Sequence, residues 1–254
     1  MNTKSLATII ITVYLLILNC HAASIQSKSN YYQYELNNGL RVIVQPDHRS
    51  TAAVIEVWYR VGSSDEPNGI TGIAHVLEHL MFDGSQHYPG HTYAKLIAQK
   101  GGEENAGTSY DYTYYFNKIA AKALPLVFRL EADRMQHLTL SQKAYSKEIN
   151  VVQEERRMRI GNSPQSLAYE RFMASAYLAV PYHHPVIGWE SDLKQMTVQD
   201  VHRWYQQWYA PNNAVIVVVG DVKPKQVYTL AKQYFGAIPK KKLPVEKKHT
   251  LQKP

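Results

Sequence analysis

An α+β fold with a mixed, mostly antiparallel sheet packed by helices is predicted by three features of this sequence. Strand-like and helix-like patterns come in blocks (strands, helices, strands, helices, strand, helix) rather than in strict alternation. Asn37-Asn38-Gly39, which favours positive φ, separates two strand patterns. A continuous apolar run at 214–219, closed by Gly220-Asp221, suits a buried central strand.

In chain order, residues 31–36 and 40–45 form the hairpin around that turn, and 52–61 reads as a third strand ended by Gly62-Ser63-Ser64. A polar loop with Pro67 and Gly69 leads to a helix from about residue 71 to 82, and Thr92 is placed to cap a second, short helix that stops at Gly101-Gly102. Residues 104–108 and 112–120, rich in Thr and Tyr, read as a strand pair with Asp111 at the turn. Helical patterns follow at 121–137 and 141–160, the latter with Ser141 as cap, and Pro164 opens another. Thr197 to Asp200 is close to a capping box and starts a helix to about residue 209, broken by Pro211-Asn212-Asn213. A last helix covers about 225–235, and no domain boundary is visible before residue 238.

At 254 residues and 45% hydrophobic, the chain can bury one large core or two small ones. Its formal net charge of +7 does not argue for nucleic acid, because residues 223–254 carry nine Lys against one Glu and so hold the whole excess. No aromatic platform accompanies those lysines, and 239–254 reads as a basic tail or the start of a linker. Residues 1–22 read as an export signal: Lys4 is their only charge, 6–18 is apolar but short for a bilayer span, and cleavage is expected after Ala22. An uncleaved N-terminal anchor is the alternative. Cys20 is the only cysteine, so the exported chain has no disulfide, and a Gram-negative source would place it in the periplasm.

The chemistry concentrates at His75, Glu78 and His79. Two His four residues apart share one helix face, where each can give a nitrogen to one metal at about 2.0–2.1 Å. Glu78 borders that face, within reach of the water that a catalytic zinc activates, and can act as its base. The order His-x-x-Glu-His is a signature of inverted zincins. A third ligand has to come from elsewhere, and the helix at 141–160 offers Glu148, Glu154 and Glu155. Glu148 and Glu155, seven apart, share a face, whereas Glu154 points about 100° away from Glu155. Interleaved with Arg156, Arg157 and Arg159, these acids also read as a solvated, salt-bridged face.

With these motifs the chain resembles the pitrilysin and insulinase (M16) family of zinc peptidases, which includes the mitochondrial processing peptidase. Residues 72–84 are similar to the family's zinc helix, and Gly101-Gly102, Asn105-Ala106 and the Thr and Tyr residues up to 115 resemble its glycine pair and Asn-Ala strand. Residues 148–159, His184-Pro185 with Gly188, Asp192-Leu193, and 209–221 resemble later landmarks, so that the likeness covers about 31–238. The resemblance implies one Zn²⁺ held by His75, His79 and Glu155. It implies Glu148 as a catalytic-site carboxylate behind them, and Asn105 and Ala106 as an edge that binds peptide or unfolded protein by strand addition. Residues 23–238 are then one metallopeptidase half-domain. Family enzymes close a second, similar domain over the first, and nothing after residue 238 supplies it. A partner M16-like subunit, a homodimer or a longer parent chain is therefore expected, and a zinc-containing but inactive subunit is the competing reading.

Four aromatic or histidine features carry weaker expectations. His183 reads as surface and His184 as structural before Pro185, His87 and His91 as loop residues around Tyr88-Pro89-Gly90 with a substrate rim as the alternative, and Trp58, Trp189, Trp204 and Trp208 as core or interface aromatics.

Overall fold

The computed structural model describes residues 31–178 and 180–244; the expected signal at 1–22 and the tail beyond 244 lie outside the described residues. Six strands, β1 (Tyr32–Glu35), β2 (Arg41–Pro46), β3 (Ala52–Tyr59), β4 (Glu103–Thr108), β5 (Thr113–Ala120) and β6 (Ala214–Gly220), form one sheet in the order β1-β2-β6-β3-β5-β4. Only β2 and β6 run parallel; the other pairs are antiparallel. The apolar run of β6 is central, flanked by β2 and β3 with Val57 opposite Ile216. The hairpin turn closes through Leu36 N–H to Leu40 O at 2.9 Å, with Gly39 at φ 85°.

Alternation along β3 sends Ala53, Ile55, Val57 and Tyr59 into the core, where Tyr115 and Ile119 of β5 join them. The helices are α1 (Ile73–Leu80), α2 (Thr92–Gln99), α3 (Leu124–His137), α4 (Gln142–Arg156), α5 (Pro164–Ala176), α6 (Glu190–Gln195), α7 (Val198–Trp208) and α8 (Pro224–Phe235). Helices α3 and α8 lie on the sheet and on each other, while α1 is wedged between α4, α7 and the edge strand β4. That wedge sets the site. Among the described residues no helix is long and apolar enough to cross a membrane.

Capping follows side-chain chemistry at three starts. Ser141 accepts from Ala144 N–H at 3.1 Å, Ser163 from Ser166 N–H at 3.2 Å, and Thr197 and Asp200 form a full capping box. Thr92 departs from expectation. It is the first residue of α2 itself, and its hydroxyl donates to the Pro89 carbonyl at 2.6 Å instead of accepting a helix amide. The helix expected at 121–137 opens with a 3₁₀ turn, Ala121–Ala123. The one expected at 141–160 ends its α-helical part at Arg156 and continues as a π turn, Arg157–Gly161.

Candidate metal centre

The start of α1 is fixed by buried carboxylates from outside it. Glu66, 7% exposed, accepts the backbone N–H groups of Gly72 at 2.7 Å and Ala74 at 2.9 Å. Asp192 accepts the Thr71 N–H at 3.1 Å and its hydroxyl at 2.7 Å, and the same hydroxyl oxygen receives Trp189 N–H at 2.9 Å. Gly72 sits at φ 88°, and a Cβ there would meet the Ile187 carbonyl at 2.5 Å. Buried acceptors suit a helix N-terminus, where orphan N–H groups point outward. Burial drives the Glu66 carboxyl well above its ordinary value, against the two amide bonds that lower it.

From this anchor α1 buries Ile73, Ala74, Val76, Leu77 and Leu80 and turns His75 and His79 toward α4. Glu155 Oε2 lies 3.3 Å from His79 Nε2 and 3.8 Å from His75 Nε2. Two donors each about 2.0–2.1 Å from a tetrahedral ion stand about 3.3 Å apart, so this spacing fits a zinc-sized metal. The donor set fits as well. Burial, then the neighbouring His79, pulls His75 down to about 4, which leaves its ring neutral and its nitrogen free to ligate. His75 Nδ1 is buried with no hydrogen-bond partner. Glu155 Oε1 takes Arg159 Nη1 at 2.9 Å, and Glu148 Oε2 stands 3.5 Å from His79 Nδ1, as a carboxylate that orients a ligand histidine would. Glu154 is exposed and pairs with Arg157 at 2.8 Å, away from the cluster.

Glu78 is half-buried beside these donors, and Thr108 of β4 donates its hydroxyl to Glu78 Oε2. Burial raises the Glu78 carboxyl, with the Thr108 bond acting in the opposite sense. Thr108 had no signal in the sequence, since nothing local ties strand β4 to α1. The cluster opens on a cleft of about 1020 Å³ lined on one side by Asn105, Ala106, Gly107 and Thr108 and on another by Gln165, Tyr169 and Met173 of α5. Strand β4 ends the sheet, and the Asn105 side chain accepts the Ala106 N–H at 2.9 Å.

The remaining expectations divide. His184 is buried, 3.8 Å from Glu66, whereas His183 is half-buried on the cleft wall. Neither His87 nor His91 lines the cleft; His87 turns instead onto Asp133 at 2.5 Å. Trp204 and Trp208 are buried, while Trp58 and Trp189 are partly so.

The profile described as insulinase, peptidase family M16, matches residues 41–188, and one described as the peptidase M16 inactive domain matches 195–254. The zinc protease PqqE of Helicobacter pylori is 37% identical over 220 residues, 85% of this chain and 50% of its own length. Rat mitochondrial cytochrome b-c1 complex subunit 1 is 30% identical over 203 residues, 80% of this chain and 42% of its own. Among solved structures, a protease from Helicobacter pylori superposes with a TM-score of 0.84 at 34% identity, over 89% of this chain and 55% of that one. The first half of the periplasmic protease PqqL from Escherichia coli gives 0.79 at 25% identity, over 87% and 49%. The α+β fold is thus that of a family that contains zinc proteases, and the chain belongs to the insulinase family of peptidases, M16. It spans about half the length of the relatives it matches.

Proposed function

We propose that this chain is the catalytic half of an exported zinc endopeptidase that cleaves peptides or unfolded protein segments, with His75, His79 and Glu155 as the metal ligands and Glu78 as the base. One observation carries the reading: three donor atoms within 4.8 Å of one another lie beside a carboxylate of raised proton affinity, over a cleft bordered by an open strand edge. Zinc bound there supplies Lewis-acid chemistry and brings the pKa of a water to about 7.

The chain's own groups do the rest. Thr108 holds Glu78 Oε2, so Oε1 is left to accept a proton from the attacking water and to return it to the departing amine. A carboxyl raised by burial is better matched to both transfers than one at its ordinary value. Glu148 orients His79, and Arg159 holds the second oxygen of Glu155. The substrate adds as a strand along β4 at Asn105 and Ala106, where it competes with the Asn105 side chain for the Ala106 N–H. A second M16-like half, on the same or a separate chain, completes the cleft; the half-length match to relatives supports it. Export to the periplasm is supported by the apolar 6–18 segment and by the periplasmic PqqL neighbour.

The kinship with a cytochrome b-c1 complex subunit favours one other reading, a subunit that keeps the fold without turnover. Glu78→Gln separates the two. Assayed on a fluorogenic peptide library with the second half present, it is expected to keep its zinc and lose about 10²–10⁴ in kcat. Full activity in that variant removes Glu78 as the base, and a wild-type chain that cleaves nothing favours the subunit.

A further inference from the structure

A second convergence of histidine and carboxylate lies outside the cleft. Helix α3 places Asp133 and His137 one turn apart on one face, and the loop after α1 brings His87 to them. His87 Nδ1 stands 2.5 Å and His137 Nδ1 2.9 Å from the same oxygen, Asp133 Oδ1, while Ser85 donates its hydroxyl to Oδ2. The two imidazole rings meet nearly edge-on, 81° apart with centroids at 5.1 Å, so their nitrogens converge instead of stacking.

The loop is not free to wander. Gln86 N–H bonds the His137 carbonyl at 2.9 Å, Thr139 N–H bonds Gly84 at 3.2 Å, and Ser85 and Leu138 form an isolated bridge. The carboxylate is buried at 8% exposure, whereas the His87 and His137 side chains are 58% and 33% exposed, which gives an ion a route from solvent and room for water ligands.

We propose that His87, Asp133 and His137 form a second, exchangeable site for a zinc-class divalent metal, separate from the cleft. Two imidazoles and a carboxylate are a donor set that zinc and its neighbours accept. Ser85 plays the part of the outer hydrogen-bond partner that holds a ligating carboxylate. In the metal-free form both Nδ1–H groups donate to Asp133. On binding, each neutral ring moves its proton to Nε2 and gives the Nδ1 lone pair to the metal, so no net proton is lost. The three donors need to part by only about 0.5–1 Å to reach ligand spacing, a movement open to the exposed His87 ring. Occupancy ties the loop that leaves α1 to α3. The inference does not rest on the peptidase reading, because none of Ser85, His87, Asp133 and His137 lines the cleft.

The test counts metal. The full chain is equilibrated with buffered Zn²⁺, desalted and assayed for zinc per protein, alongside cobalt(II) titration followed by visible absorption. Wild type is expected to hold about two equivalents, and the His75→Ala/His79→Ala variant about one. Adding His87→Ala or His137→Ala to that variant should remove the remaining equivalent, and Ser85→Ala should weaken it roughly tenfold. Melting curves confirm that each variant is folded. No zinc held by the His75→Ala/His79→Ala variant, or an equivalent there that survives both His87→Ala and His137→Ala, overturns the site and leaves a hydrogen-bonded triad.

Discussion

The two His₂-carboxylate clusters are built from the same residue types by opposite means. In the cleft, an i,i+4 histidine pair on α1 meets a carboxylate from α4; under the loop, an i,i+4 Asp-His pair on α3 meets a histidine from a loop. Their surroundings diverge. His75 and His79 are 12% and 22% exposed, backed by Glu148 and bordered by Glu78, with Glu155 Oε2 3.8 and 3.3 Å from their Nε2 atoms. The second set has contracted to hydrogen-bond distance, faces solvent and has no neighbouring base. Ligand pattern alone therefore does not make a reaction. What distinguishes the cleft is a carboxylate, Glu78, held by Thr108 beside the histidines, a second, Glu148, behind His79, and a helix held in place at its start.

The last of these is expected to have the largest effect. Glu66→Ala leaves the Gly72 and Ala74 amides at the N-terminus of α1 without acceptors. Loss of about 2–4 kcal/mol of stability is expected, measured by denaturant unfolding in the presence of a chelator. Zinc affinity should fall with it, since both histidines ride on that helix. A loss under about 0.5 kcal/mol would show that packing alone positions α1 and would erase this difference between the clusters.

Next in size is Glu148→Gln. Its oxygen stands 3.5 Å from His79 Nδ1, and removing its charge should weaken zinc binding about 10–100-fold in competition with a chromophoric chelator, with little change in folding. An unchanged affinity would make Glu148 a surface partner of Lys147, which it also meets at 2.8 Å.

How much of this could be read from the sequence follows from how far each contact reaches along the chain. The shared face of His75 and His79, and that of Glu148 and Glu155 with Glu154 turned away, follow from helical phase, a local property, and Glu154 does point out to Arg157; the choice of Glu155 as ligand came from the family resemblance. The central place of β6 was legible because a strand buried on both faces needs a continuous apolar run. The roles of Asp192 and Thr108 were not legible, because each reaches the start or flank of α1 from a distant element; Glu66 is only six residues before Gly72, but it caps from an irregular loop for which no spacing rule exists. The pairing of His87 with Asp133 was hidden in the same way, as the two lie 46 residues apart. The π turn after Arg156 escaped because propensity does not separate it from a continuing α-helix.

A third kind of carboxylate supplies the smallest test. Glu104, beside Asn105 on β4, is half-buried, and its buried oxygen Oε2 has no hydrogen-bond partner. Burial lifts its carboxyl from 4.5 to about 7, with Arg134 pulling down and Glu131 pushing up. Its folded-state proton affinity is thus raised. Below about pH 4.5 the group is protonated in both folded and unfolded chains and costs nothing. Between about 4.5 and 7 the folded chain keeps a proton that the unfolded chain has released, so stability falls as pH rises through that window. Glu104→Gln removes this dependence. The variant should match wild type near pH 4 and exceed it by about 1–2 kcal/mol at pH 8, a figure discounted for partial solvent screening. If the two curves stay parallel from pH 4 to 8, water reaches Oε2, and the edge strand that borders the cleft is wetter than its burial implies.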